Sequence, residues 1–143
     1  MLSNLLRGGA MAAFLLTATV VTAAEPALEV NHFRAKQILG TKILIQGNKV
    51  SIGTVDDLVF DDAGNLEYLI VDNGGKLTTV PWDAAKFDLE KKSAILSIAP
   101  EQYKLIPTYT TTTYPSFYAP TYRTEIYKHY DLTPRELRII KRR

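Results

Sequence analysis

Between Lys42 and Ala99 the chain runs in short stretches where apolar and polar residues alternate, cut by turn signals. That is the period-two rhythm of half-buried strands. Lys42 to Gln46 predicts the first strand, with Ile43 and Ile45 in one phase, and Gly47-Asn48 predicts a hairpin turn after it. Val50 to Phe60 is too long for one flat strand. Ile52 and Thr54 hold one phase and Val55 and Val59 the other, so a bulge or bend is expected at Gly53 or at Asp56-Asp57. Leu66 to Asp72 is apolar in both phases: Leu66, Tyr68 and Ile70 in one, Leu69 and Val71 following Glu67 in the other. Such a strand predicts that its outer side is covered by another segment. Asn73-Gly74 is the strongest hairpin signal of the chain and leads to a strand over Lys76–Val80, which Pro81 closes because it has no N–H for a ladder. Ala94 to Ala99 predicts a last strand. Helical turns are expected over Arg34–Leu39, stopping at Gly40, and over Pro100–Ile106.

From Pro107 the text changes. Thr108 to Tyr122 is almost entirely Tyr, Thr, Pro, Ser and Ala and carries no charge. Pro115 and Pro120 argue against a central strand, and the aromatics argue against a solvated linker. The segment is therefore expected to lie extended on the sheet, its tyrosines covering apolar surface with hydroxyls facing water. Thr133-Pro134-Arg135-Glu136 has the form of a capping box with proline at the first helical position, and Leu132 and Leu137 are spaced as a hydrophobic staple. A basic C-terminal helix is predicted from Pro134 to about Lys141, too short to persist unless packed.

Several of these segments together carry a family resemblance. Ile52-Gly53-Thr54-Val55-Asp56-Asp57 reads I-G-x-V-x-D; the turn Asp62-Ala63-Gly64-Asn65, the strand Tyr68–Asp72 (Y-L-I-V-D) and Val80-Pro81-Trp82-Asp83 follow in order. Ile38-Leu39-Gly40 followed by Lys42-Ile43 is similar to an opening L-I-G-x-x-V segment. In order and spacing these resemble the PRC-barrel family over Phe33 to Ile106. The resemblance implies a mainly β fold, a small antiparallel barrel with short helical turns, to which the pattern above adds the C-terminal helix. It also implies a binding or assembly module rather than an enzyme, with Gly53, Asp72, Pro81 and Trp82 as structural motif positions. Trp82 is expected to plug the core, so that its removal would cost roughly 3–5 kcal/mol.

The N-terminus reads as a separate unit. Arg7 is the only charged side chain before Glu25, Ala10 to Val21 is apolar, and small residues precede Glu25-Pro26. This predicts a secretory signal peptide over residues 1–24, cleaved after Ala23 or Ala24. The uncharged stretch from Gly8 to Ala24 is 17 residues long, so an uncleaved membrane anchor stands as the alternative. An exported product, periplasmic or secreted, is expected, with the barrel over residues 32–106 and the extension over 107–143.

Absence of cysteine removes disulfides, thiolate metal sites and a cysteine nucleophile. Charge is uneven. Glu25 to Pro120 holds 9 Lys and Arg against 12 Asp and Glu, whereas Thr121 to Arg143 holds 7 against 3. The pairs Asp56-Asp57 and Asp61-Asp62 lack the alternation and closing glutamate of a calcium loop, so no metal is expected. No Gly-x-Ser-x-Gly, Ser-x-x-Lys or phosphate-cradling glycine loop occurs, and no cofactor is expected. Two candidate surfaces are left. Tyr114, Tyr118 and Tyr122 form a dense aromatic stretch without the interleaved cations of a nucleic-acid platform, which argues against nucleic acid. Arg135, Arg138, Lys141, Arg142 and Arg143 form a basic end suited to a protein partner or an anionic surface. The expected function is thus an exported, non-enzymatic module making protein–protein contacts, with a homodimer left open. The alternative is a peripheral binder of anionic membrane or polymer through the basic segment.

Overall fold

The computed structural model describes residues 12–23, 32–45 and 49–137. Residues 12–23, part of a separate N-terminal unit, form no regular element and expose Phe14, Leu15, Leu16, Val20 and Val21. Among the described residues no helix is long and apolar enough to cross a membrane. The Gly47-Asn48 turn and residues 1–11 and 24 of the predicted signal peptide lie outside the described residues.

The second unit, from His32 onward, is a mainly β domain. In chain order it contains α1 (Ala35–Ile38), β1 (Lys42–Ile45), β2 (Val50–Phe60), β3 (Leu66–Asn73) and β4 (Lys76–Pro81). A 3-10 turn at Trp82–Ala84 leads to β5 (Ala85–Asp88) and β6 (Ser93–Leu96), then α2 (Pro100–Tyr103), β7 (Thr108–Tyr109) and α3 (Pro120–His129). The alternation over β1 to β4 produces the strands it predicts. β5 was not anticipated, because Ala85-Lys86-Phe87-Asp88 is too short and too charged to stand out.

The strands form one seven-stranded sheet in the order β5-β6-β1-β2-β3-β4-β7. This corrects the expected closed antiparallel barrel in two ways. β6 runs parallel to β1, because the chain leaves β4 and crosses to the far side of β1 before pairing. The sheet also stays open. The outer edge of β4 is taken by the two residues of β7, and the opposite edge, β5, is a four-residue strand with exposed Lys86 and Asp88. Short, charged strands are how natural sheets blunt an edge without closing it.

Curvature comes from bulges. In the β1–β2 ladder the register slips between Ile43 and Leu44, leaving Ile52 extra, and in β2–β3 it slips across Asp56. Both fall beside the two positions that the length of β2 marks in the sequence. A third slip, between Val59 and Phe60, leaves Glu67 extra in β3. Gly53 sits at φ +128°, and a Cβ there would drive into the Asp72 carbonyl of β3, so only glycine allows β2 this approach. The β3–β4 hairpin turns at Gly74-Gly75, both with positive φ, and the Asp72 carboxylate accepts a 2.8 Å bond from the Gly75 N–H.

One connected core joins Ile43, Ile45, Ile52, Val55, Leu69, Val71, Val80 and Leu96 with Ile126, Tyr127 and Tyr130 of the extension. The predicted cover for β3 is therefore present. Its form differs from the expected extended strap. Pro120, read as arguing against a central strand, stands at the first turn of α3, where its missing N–H has no partner to lose. The helix predicted at Pro134 is not seen in its described part: Leu132 to Leu137 are irregular, and Arg138 to Lys141 lie outside the described residues. A long-range interaction outweighs the local capping signal. Arg135 reaches Glu67 and the Leu66 carbonyl, while its own carbonyl accepts a bond from Arg123.

Candidate functional site

Two features of β3 lie side by side. Leu66 opens onto a groove, and Glu67, displaced by the bulge, anchors the C-terminal extension.

The groove has a volume of about 270 Å³ and is lined by Phe33, Ala35, Ile38, Leu58, Phe60, Gly64, Leu66 and Trp82. Each wall has a local cause. The helical turn α1 presents Ala35 and Ile38, the end of the β2–β3 hairpin presents Leu58, Phe60 and Leu66, and the 3-10 turn after Pro81 presents Trp82. Trp82 stacks on Phe87 of β5 with ring centres 5.0 Å apart, and Phe33 meets the indole edge-on at 5.6 Å. Phe33 is 45% exposed and Phe60 50%. No lining side chain titrates, so the groove offers apolar and aromatic contact and no acid, base or nucleophile. Among the described residues no group of His, Asp and Glu is placed to hold a metal ion.

The anchor is a buried carboxylate. Glu67 is 1% exposed and accepts bonds from Arg123 Nη2 at 2.7 Å, Tyr127 Oη at 2.6 Å and Arg135 Nε at 2.9 Å. Burial pushes its pKa up, but the bonds from Arg123, Tyr127 and Arg135, with the Arg123 charge, outweigh that and hold the carboxyl below its ordinary value. Burial together with the Glu67 carboxylate drives the Tyr127 phenol well above its ordinary range. Around this clasp the extension's tyrosines turn inward. Tyr68 packs against Phe117, Tyr118 and Tyr127, and its hydroxyl donates to the Phe117 carbonyl at 3.2 Å. Thr79 shares its hydroxyl with Tyr109 and Tyr122, and its carbonyl accepts from Tyr130. Hydroxyls expected to face water thus bond into the sheet.

The residues singled out in the sequence scatter across this arrangement. Gly53 and Asp72 hold the β2–β3 approach and the hairpin turn, and Pro81 ends β4 opposite Tyr68. Trp82 is half-buried and lines the groove, where a core plug was expected. Tyr114 is exposed, Tyr122 is tied to Thr79, and Tyr118 buries its hydroxyl without a partner among the described residues, its pKa raised to about 12 chiefly by burial. They do not form one binding face. Arg135 is committed to Glu67, which removes it from the expected basic surface, and Arg138, Lys141, Arg142 and Arg143 lie outside the described residues.

Sequence reasoning missed the groove aromatics Phe33 and Phe60 and the whole clasp. A signal for the clasp existed: Glu67 is the lone charge in the apolar run Leu66 to Val71. Strict alternation assigned it to the face opposite Tyr68, and the bulge defeats alternation.

A family model, the PRC-barrel domain, matches residues 30–103. The chain belongs to the PRC-barrel family. The match contains every residue lining the groove and stops before Arg123, Tyr127 and Arg135, so the clasp joins the matched region to the segment that follows it. No curated protein matches the sequence. Among solved structures the chain is similar to the 16S ribosomal RNA processing protein RimM from Pseudomonas aeruginosa, at 19% identity and a TM-score of 0.40. The similarity covers 53% of this chain and 49% of that one, so the chain spans about half of that protein's length.

Proposed function

We infer that this PRC-barrel protein is an exported, non-enzymatic binding and assembly module that takes a protein partner into the groove between Phe33, Phe60 and Trp82. The observation that supports this is the gathering of exposed Phe33 and Phe60 and half-buried Trp82 around one apolar recess. An apolar, aromatic recess free of titratable groups favours contact over chemistry. The predicted signal peptide argues for a partner in the exported compartment, which N-terminal sequencing of the mature protein would check. Membership of the PRC-barrel family supports the binding-module class. The alternative reading, a basic terminus held to an anionic surface, loses Arg135 to the buried ion pair.

A photo-crosslinking amino acid at Phe60, introduced into the full chain in its native host, tests the reading. An adduct to a discrete protein is expected at Phe60 and not at Lys76, an exposed residue at the β3–β4 turn. It should weaken when Trp82 is replaced by alanine. Adducts only to lipid, or equal yield at both positions, would refute it.

A further inference from the structure

Hydrogen-bonding capacity narrows what the groove can hold. Among its lining residues the only polar side-chain atom is the indole Nε1 of Trp82. That N–H is a donor and cannot accept. It makes no hydrogen bond among the described residues, and it keeps contact with solvent, because Tyr118 Oη and Arg123 Nε are the only unpartnered side-chain atoms sealed from it there. On the hairpin wall the Leu66 carbonyl is engaged by Arg135 at 2.6 Å. The side chains of the groove therefore offer a donor and no acceptor. The wall that carries the donor is fixed in advance: Trp82 stacks on Phe87 at 5.0 Å, Phe33 meets the indole at 5.6 Å, and Phe33 and Phe87 lie 6.4 Å apart.

A fitting occupant is apolar, brings unpaired acceptors and strands no donor of its own. An α-helix fails, since its carbonyls are bonded internally up to the last turn. An added strand brings N–H groups that need acceptors. It would also meet a used donor at the open edge of β2: beyond Thr54, where pairing with β1 stops, the Leu58 N–H already bonds to the Asp57 carboxylate at 2.8 Å. A polyproline II segment meets each condition. It has no internal hydrogen bonds, its carbonyls are free, and proline has no N–H and a preset φ that lowers the cost of ordering. The groove's volume of about 270 Å³ falls below the roughly 300–1,000 Å³ of pockets that enclose a small molecule, and suits a few residues of a chain lying across it. We propose that the groove reads a proline-rich, polyproline II segment of its partner, with proline rings against Phe33, Phe60 and Trp82 and one carbonyl accepting from Trp82 Nε1. This rests on the groove being the partner site inferred above, and names the chemistry of what enters it.

Trp82 is the only tryptophan, so a single indole N–H resonance reports this atom. The full chain is titrated with decaproline, with its all-D mirror image and with a Gly-Ser peptide of equal length. Decaproline should move the indole resonance downfield to saturation and shield Trp82 fluorescence from acrylamide, and the other two should do neither. Trp82→Phe keeps a ring and removes the donor, so its affinity for decaproline by calorimetry should fall roughly two- to tenfold, the worth of one hydrogen bond. Phe60→Ala, at a ring 50% exposed, should also weaken binding while leaving the urea midpoint near the parent's. No saturable shift with decaproline, an equal response to the mirror image, or full affinity in Trp82→Phe would overturn the proposal. Crosslinking from Phe60 in the host tests the underlying reading separately. A protein adduct without decaproline binding sinks the polyproline assignment alone, and decaproline binding without an adduct sinks the inferred function alone.

Discussion

Replacing Glu67 by glutamine should detach the extension, and the structure sets the scale. The substitution keeps the shape and removes the charge. Arg123 is left with an 11% exposed side chain and no counter-charge, and its Nε already lacks a partner among the described residues. Breaking a buried pair from one side costs roughly 3–5 kcal/mol, because the surviving charge stays in a poor solvent. Arg135 contributes less. Its side chain is 38% exposed, so screening reduces the Arg135→Ala effect to about 1 kcal/mol. Replacing Glu67 and Arg123 together by leucine should recover much of the loss, since an apolar pair of similar volume needs no desolvation.

Urea unfolding gives the magnitudes, and hydrogen exchange gives the location: protection at Ile126 and Tyr127 should fall before that at Leu69 and Val71. The pH dependence follows in sign. A carboxyl held below its ordinary 4.5 stabilises the fold fully above that value and loses its contribution as pH falls through the lowered one. Acid should therefore loosen the extension first, and Glu67→Gln should abolish that early step. A glutamine variant within about 1 kcal/mol of the parent, with α3 still protected, would refute a buried clasp, since that is the range of an exposed pair.

Gly53→Ala should cost roughly 2–5 kcal/mol, strain at φ +128° adding to collision with the Asp72 carbonyl, and a urea midpoint near the parent's would count against that close approach. Tyr109, Tyr127 and Tyr130 have phenols raised above their ordinary value of 10, mainly by burial, so their stabilisation holds below pH 10 and is lost as pH rises through the raised values; absorbance titration should show them ionising only with unfolding, and their ionisation in a chain still folded by circular dichroism would count against the burial. Trp82→Ala should cost about 2 kcal/mol, below the full-burial range, because the indole is half-exposed; a cost of 5 or more, read from the same unfolding curves, would mean a buried plug.

Much of the sheet was legible because its signals are local. Asn73-Gly74 names its hairpin, the length of β2 announces its bulges, and the doubly apolar β3 announces a cover. What escaped was decided at a distance. β5 pairs only because β6 crosses beside β1, which no property of Ala85 to Asp88 states. The capping signal at Thr133 is a correct local preference overruled by Arg135, whose partner lies 68 residues away. The groove was invisible for a related reason: Phe33, Phe60 and Trp82 belong to separate elements, each reading alone as an ordinary core residue.

The bulge at Glu67 ties these features together. In an unbroken strand Leu66 and Glu67 would face opposite sides of the sheet, and a carboxylate beside Tyr68 would point away from it. The extra residue lets Glu67 join Tyr68 beneath the extension while Leu66 stays on the groove, and Arg135 bonds to both, at the Glu67 carboxylate and the Leu66 carbonyl. Clasp and groove therefore share one short piece of backbone. An occupant that shifts Leu66 must also move the carbonyl that Arg135 holds, so groove binding and extension docking can exchange free energy. Such coupling is reciprocal by necessity: if a groove ligand tightens the extension, strengthening the clasp must raise that ligand's affinity by the same factor. The PRC-barrel domain and the segment that follows it are thus joined beside the groove, at the one position in β3 where alternation fails.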